Sequence, residues 1–265
     1  MIIEIKQRRL TYTEIIDSSF YIFRQHFLLI LAVNLVIFIL WNLLTQALNG
    51  ENFVTITNLI YGLLLLPIAI ISYYQIIDSE INNNNVVFSD LKYTYYNKIL
   101  KIVNVQLSIS VYGLLAILVI GLLCIPAYFI ATFLNLSSFF TSNYGVGFAI
   151  LVFGIVLLAL TYLFQYGIYA AVVNNKSSSK ALEHSVTIVK DNPWESLAIL
   201  SIAIMGALIT DYFTTLIFNL LLGLGDNYYI LWIYAFKSQL ISSFFIVINL
   251  ISYLNLDYAH KRKNS

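Results

Sequence analysis

The chain has 265 residues, 60% of them apolar and only 10% charged, with a mean hydropathy of +0.84. A soluble core of this size cannot hide so many continuous apolar runs, so the composition excludes a soluble domain and indicates a polytopic membrane protein. A formal net charge of +1 gives no electrostatic footprint for nucleic acid.

The first ten residues carry Lys6, Arg8 and Arg9, after which Thr11 or Thr13 can cap a helix with Glu14 in its first turn. The segment 13–27, TEIIDSSFYIFRQHF, aligns without a gap with a later one, 179–193, inside SKALEHSVTIVKDNPW. Ile16, Phe20 and Phe23 then stand where Leu182, Val186 and Val189 do. Apolar residues at i, i+4 and i+7 opposite charged ones predict two amphipathic helices lying on a membrane surface. No small-residue cleavage site follows the first apolar run, so the N-terminus is expected to be retained and cytoplasmic.

The first membrane helix is expected over 27–48 and the second over 54–77, kinked at Pro67. Asn82 to Asn85 return the chain to the cytoplasm, and 89–98 reads as a degraded third surface helix containing Leu91, Tyr95 and Lys92. The third membrane helix is expected from Leu100 to Leu123, with Pro126 interrupting the pattern and 127–143 at the outer interface. A fourth runs over 146–173, and a fifth starts after Pro193 and reaches about Tyr212. Residues 213–236 read either as two long helices turning at Gly225 and Asp226 or as a re-entrant segment, and the sixth helix ends near Leu256.

The fold expected is therefore all-α: one integral membrane domain over 1–265, six transmembrane helices in three hairpins (about 11–78, 88–173 and 179–258), each preceded by a cytoplasmic amphipathic surface helix. Thirteen of the 14 basic residues fall on one side of this layout, and only Lys237 is left over. That bias predicts that both termini are cytoplasmic. Tyr and Trp residues near the ends of the spans, such as Tyr73, Tyr74 and Trp194, fit aromatic belts.

Asp211 follows Ala203 and Ala207 at i+4 spacing, so it marks a small-residue packing face, and Lys237 is its candidate ion-pair partner. Asp17, Arg24, Glu183 and Lys190 are the candidate contact residues of the two surface helices. Asn34, Asn42, Gln46, Asn104, Gln106, Gln165 and Asn249 read as interhelical hydrogen-bonding residues, with a polar path as the alternative. His26, His184 and His260 sit at the cytoplasmic boundary without metal-ligand spacing and are expected to be solvated. Cys124 is expected to be buried and inert. Ser185 lacks the G-x-S-x-G context of a hydrolase nucleophile, and no catalytic residue, cofactor site or metal site is expected.

The junctions IIDSSFYIFRQHFLLIL and ALEHSVTIVKDNPWESLAIL resemble those of the membrane domain associated with glycerophosphodiester phosphodiesterases and its stand-alone bacterial relatives. In the fused relatives, hydrolysis belongs to a separate metal-binding domain, so the resemblance implies a membrane module without that activity. The expectation is a non-enzymatic membrane protein whose partners are membrane lipids or another protein, engaged through its surface helices. A permease subunit of an ABC-type exporter, with an ATPase as partner and transport as its role, is the alternative. An immunity protein against a membrane-active peptide is another.

Overall fold

The computed structural model describes residues 2–47, 60–82, 84, 91–133, 143–222 and 228–264. These residues are helical throughout, apart from short turns and connections, and contain no strand. After a 3-10 turn at Ile2–Lys6 come α1 (Tyr12–Gln25), α2 (Phe27–Ala47), α3 (Leu66–Asn82), α4 (Leu91–Phe133), α5 (Asn143–Phe164), α6 (Gly167–Val173), α7 (Ser178–Asp191), α8 (Pro193–Leu222) and α9 (Tyr228–Asn264). Among the described residues, six stretches are long and apolar enough to cross a membrane: Phe27–Gln46, Tyr61–Asn82, Lys98–Pro126, Ile150–Val173, Pro193–Thr210 and Phe236–Lys263.

Helix α1 starts with a capping box, in which Thr11 Oγ1 accepts the Glu14 N–H and Glu14 Oε2 accepts the Thr11 N–H at 2.8 Å. It ends at His26, and α2 begins at the next residue. Helix α7 repeats this arrangement: it ends at Asn192, and α8 begins at Pro193. The two bends thus fall at corresponding positions of the ungapped alignment.

The face that α1 buries is displaced from the expected stripe, whereas that of α7 includes Leu182 and Val189 of it but not Val186. In α1 the buried residues are Ile15, Ser18, Ser19 and Ile22, whereas Phe20 is 59% exposed. In α7 they are Ala181, Leu182, Ser185, Ile188 and Val189. Small serines bring α1 close to α9, and Ser19 can be buried because its hydroxyl donates to the Ile15 carbonyl at 2.7 Å. Phe20 and Phe23 lie instead against Phe244, with ring centroids 4.6 and 5.5 Å away.

Several other boundaries differ from the expectation. Pro67, where a kink was expected, stands in the first turn of α3 directly after a π-helical turn at Tyr61–Leu65. Helix α4 is continuous from Leu91 to Phe133, so there is no separate surface helix within 91–98 and no interruption at Pro126. Of the segment placed at the outer interface, 127–133 belongs to α4 and 134–142 lies outside the described residues. Cys124 is exposed on α4 rather than buried.

The fourth crossing is broken at Gln165 and Tyr166, where a side chain from α7 enters the helical ladder. Ser185 Oγ donates to the Leu163 carbonyl at 2.8 Å and accepts the Tyr166 N–H at 3.1 Å. Gly167 follows at once, and a Cβ there would stand 2.8 Å from Leu182 Cδ2, so a side chain at this close approach of α6 to α7 would have to displace Leu182.

The last two helices are long, and their contacts share one register. A Cβ on Gly206 would meet the Phe245 ring at 2.7 Å, and Lys237 Nζ donates to Thr215 Oγ1 at 2.8 Å. Both pairs are nearly equidistant in sequence from positions 225 and 226, which themselves lie outside the described residues. Helix α9 is the central post of the bundle and packs on α1, α2, α3, α7 and α8. Residues 250–257 are buried on every side of it, while α2, α4 and α5 expose large apolar side chains such as Leu28, Leu118 and Leu158.

Candidate functional site

Most of the described basic residues and ion pairs meet at one end of the bundle, where α1, α7 and the last turns of α3 and α9 come together, with Lys237 lying apart beside Thr215. The centre is Asp257 on α9, which is fully buried. His184 Nε2 of α7 lies 2.7 Å from Asp257 Oδ1, Asn174 Nδ2 donates to the same oxygen at 3.1 Å, and Lys261 Nζ stands 2.6 Å from Oδ2. Lys261 also donates to Asn174 Oδ1 at 2.8 Å, and Asn174 Nδ2 reaches the Tyr253 hydroxyl at 2.5 Å. The His184 ring meets that of His260 edge to face at 5.8 Å, and His260 Nδ1 lies 3.0 Å from Asp191 Oδ2.

This network ties the N-terminus down as well. Asn255 Oδ1 accepts the Leu10 N–H at 2.8 Å, and its Nδ2 donates to the Leu10 carbonyl at 3.1 Å. Arg262 Nη1 donates to the Ile5 carbonyl at 3.1 Å, and Arg9 pairs with Glu195 and donates to Asn192 Oδ1. Arg8 bridges Glu4 and Glu14, and its hydrogen bond to Glu14, with that from the Thr11 backbone, holds the Glu14 carboxyl down at about 2. Between Arg9, Asp191, Asn192, His260 and Lys263 lies a small cavity of about 170 Å³.

The bend between α1 and α2 is held by a different carboxylate. Glu80 at the end of α3 accepts the Tyr21 hydroxyl at 3.1 Å and stands 3.2 Å from His26 Nε2. His26 and His184 are therefore held against carboxylates and largely shielded, which corrects the expectation that they are solvated.

Of the residues singled out from the sequence, Asp17, Arg24, Glu183 and Lys190 are exposed on the outer sides of α1 and α7. Asp211 is in α8, one turn before Thr215, but its side chain lies outside the described residues, and the described contact of Lys237 is with Thr215. Several of the amides make described hydrogen bonds within or between helices. Asn34 Nδ2 donates to the Tyr73 hydroxyl at 2.9 Å, Tyr73 to Ser243, and Ser243 back to Asn34 Oδ1, which closes a ring among α2, α3 and α9. Gln106 and Gln165 donate to the carbonyls of Gly62 and Ser196, while Asn42 and Asn249 donate within their own helices.

Asp257 and Asn174 were not singled out by sequence reasoning. One signal was there to find: an acidic residue inside the last apolar run, one helical turn before Lys261.

The six apolar crossings and the all-helical bundle define a multi-pass membrane protein. No family model, curated protein or solved structure matches the chain.

Proposed function

We propose that this protein is a non-enzymatic bacterial plasma-membrane protein that associates with lipid through the outer sides of α1 and α7, as a membrane module akin to the one associated with glycerophosphodiester phosphodiesterases. One observation carries the reading: both helices are locked on their inner sides into α9 and its neighbours, while Asp17, Arg24, Glu183 and Lys190 remain exposed on their outer sides. The carboxylate at the centre of the basic end is enclosed by His184, Asn174 and Lys261, an arrangement that joins helices rather than one that presents a reactive group.

In this reading the basic end faces the cytoplasm, with both termini there, and the outer sides of α1 and α7 lie along the anionic inner leaflet. The orientation is tested in a Cys124→Ala background with single cysteines at Lys190 and Lys263, labelled by a membrane-impermeant maleimide in intact cells. Protection of both until the cells are opened is the expected result; labelling from outside overturns it. The function is tested by native mass spectrometry after extraction in mild detergent. Retained phospholipid is expected, and a stoichiometric ATPase in its place would assign the chain to an exporter.

A further inference from the structure

Where α4 passes the start of α7, a groove of about 640 Å³ opens on the side of the bundle. One part is polar. Ser108 Oγ of α4 and Ser178 Oγ of α7 lie 2.5 Å apart, and Ser178 also donates to the Asn104 carbonyl at 3.2 Å. Ser177 and Ser179 complete that part, and Ser177 does not cap α7, which leaves first-turn N–H groups as further donors.

The other part is apolar. Leu107, Val111 and Tyr112 are 48%, 53% and 48% exposed, and all three belong to the stretch of α4 that is apolar enough to cross a membrane. The groove therefore runs from hydrocarbon to the basic end. No lysine lines the groove itself; Lys176 and Lys180 flank its three serines in the sequence, and Lys101, one turn before Asn104, donates to Asn175 Oδ1 at 2.5 Å.

A glycerophospholipid with a net negative headgroup has the matching order of chemistry. Its phosphate oxygens accept from hydroxyls, N–H groups and ammonium groups, and its acyl chains begin within a few bonds of them. We infer that the groove between α4 and the start of α7 seats the phosphate and upper acyl chain of an anionic phospholipid. This rests on the lipid-associated reading above and gives it one defined site.

The test uses the full chain in nanodiscs containing phosphatidylcholine with a minor fraction of photoactivatable phosphatidylglycerol. Adducts are expected on the peptide that contains Leu107, Val111 and Tyr112. Lys176→Gln with Lys180→Gln should lower the yield there at least about fivefold, as the loss of basic residues near an anionic headgroup would. Lys6→Gln, away from the groove and bonded to Asn82, should leave it unchanged. Leu107→Trp with Val111→Trp fills the exposed apolar wall without touching the core, so it should lower adduct formation at a retained thermal midpoint.

Equal yields in all variants would overturn the site, as would adducts confined to other parts of the chain. In the latter case lipid association through α1 and α7 survives. Equal protection by inorganic phosphate would assign the polar end to a soluble anion and overturn the lipid assignment. If native mass spectrometry finds no retained lipid at all, both readings fail together.

Discussion

The bend between α1 and α2 and the bend between α7 and α8 are two copies of one local device, secured in different ways. At the first, Glu80 comes from a neighbouring helix to meet Tyr21 and His26, with side-chain exposures of 18% for both Glu80 and His26. At the second copy, His184 reaches Asp257, whose side chain is only 1% exposed, and Ser185 enters the break between α5 and α6. Similar segments can therefore share a shape while their stability rests on different terms. A shielded contact that keeps some access to water depends less on its partners than a fully enclosed carboxylate does.

The largest effect separating the two bends should come from His184→Ala, which strips a partner from a buried carboxylate. A loss of about 3 kcal/mol is expected, read as the unfolding midpoint in detergent. Adding Asp257→Leu should recover much of that loss, because the uncompensated charge goes with it. If His184→Ala were no worse than a surface change, the comparison between the bends would collapse.

Gly167→Val tests the close approach that only the second copy has. The new side chain meets Leu182, and about 1–2 kcal/mol should be lost, with partial recovery on adding Leu182→Ala. The equivalent change at Gly154, where a Cβ has open space, should be neutral.

At the first bend, Glu80→Gln should cost about 0.5 kcal/mol, and raised salt should shrink the difference further. A loss as large as that of His184→Ala would show that Glu80 acts as a buried charge.

The smallest effect is the pH dependence of the N-terminal cap. Glu14 is held at about 2 in the folded chain against its ordinary 4.5, so the unfolded chain binds the proton first. The stabilisation from Glu14 is present above about 4.5 and fades as pH falls towards 2. Comparing Glu14→Gln with the parent chain by circular dichroism of α1-containing protein across that window should show the two converging at the acid end. A gap that persisted at the acid end would remove the carboxylate from the explanation.

Much of the architecture could be read from consecutive residues. The first apolar run, residues 27–48, became α2 almost as delimited, and Pro193 opens α8 as its missing N–H allows. The break at Gln165 and Tyr166 was hidden, because both residues lie in an apolar stretch and what breaks it is Ser185, on another helix. The buried side of α1 was misjudged by one position, because periodicity weighs Phe20 above Ser19 while close packing against α9 favours the smaller residue. Asp257 was not singled out because the sixth helix was expected to end near Leu256, just before it.

By itself the sequence determined the class of protein, the number of crossings and the gathering of basic residues towards one end. Each of those is a sum over neighbours in the chain, and the transfer of apolar segments into a membrane depends on such sums. Only the tertiary structure decided which charges are enclosed and where helices break. The partners of Asp257 on other elements, His184 and Asn174, lie 73 and 83 positions away, and the energy of a buried charge is set by the groups that surround it in space.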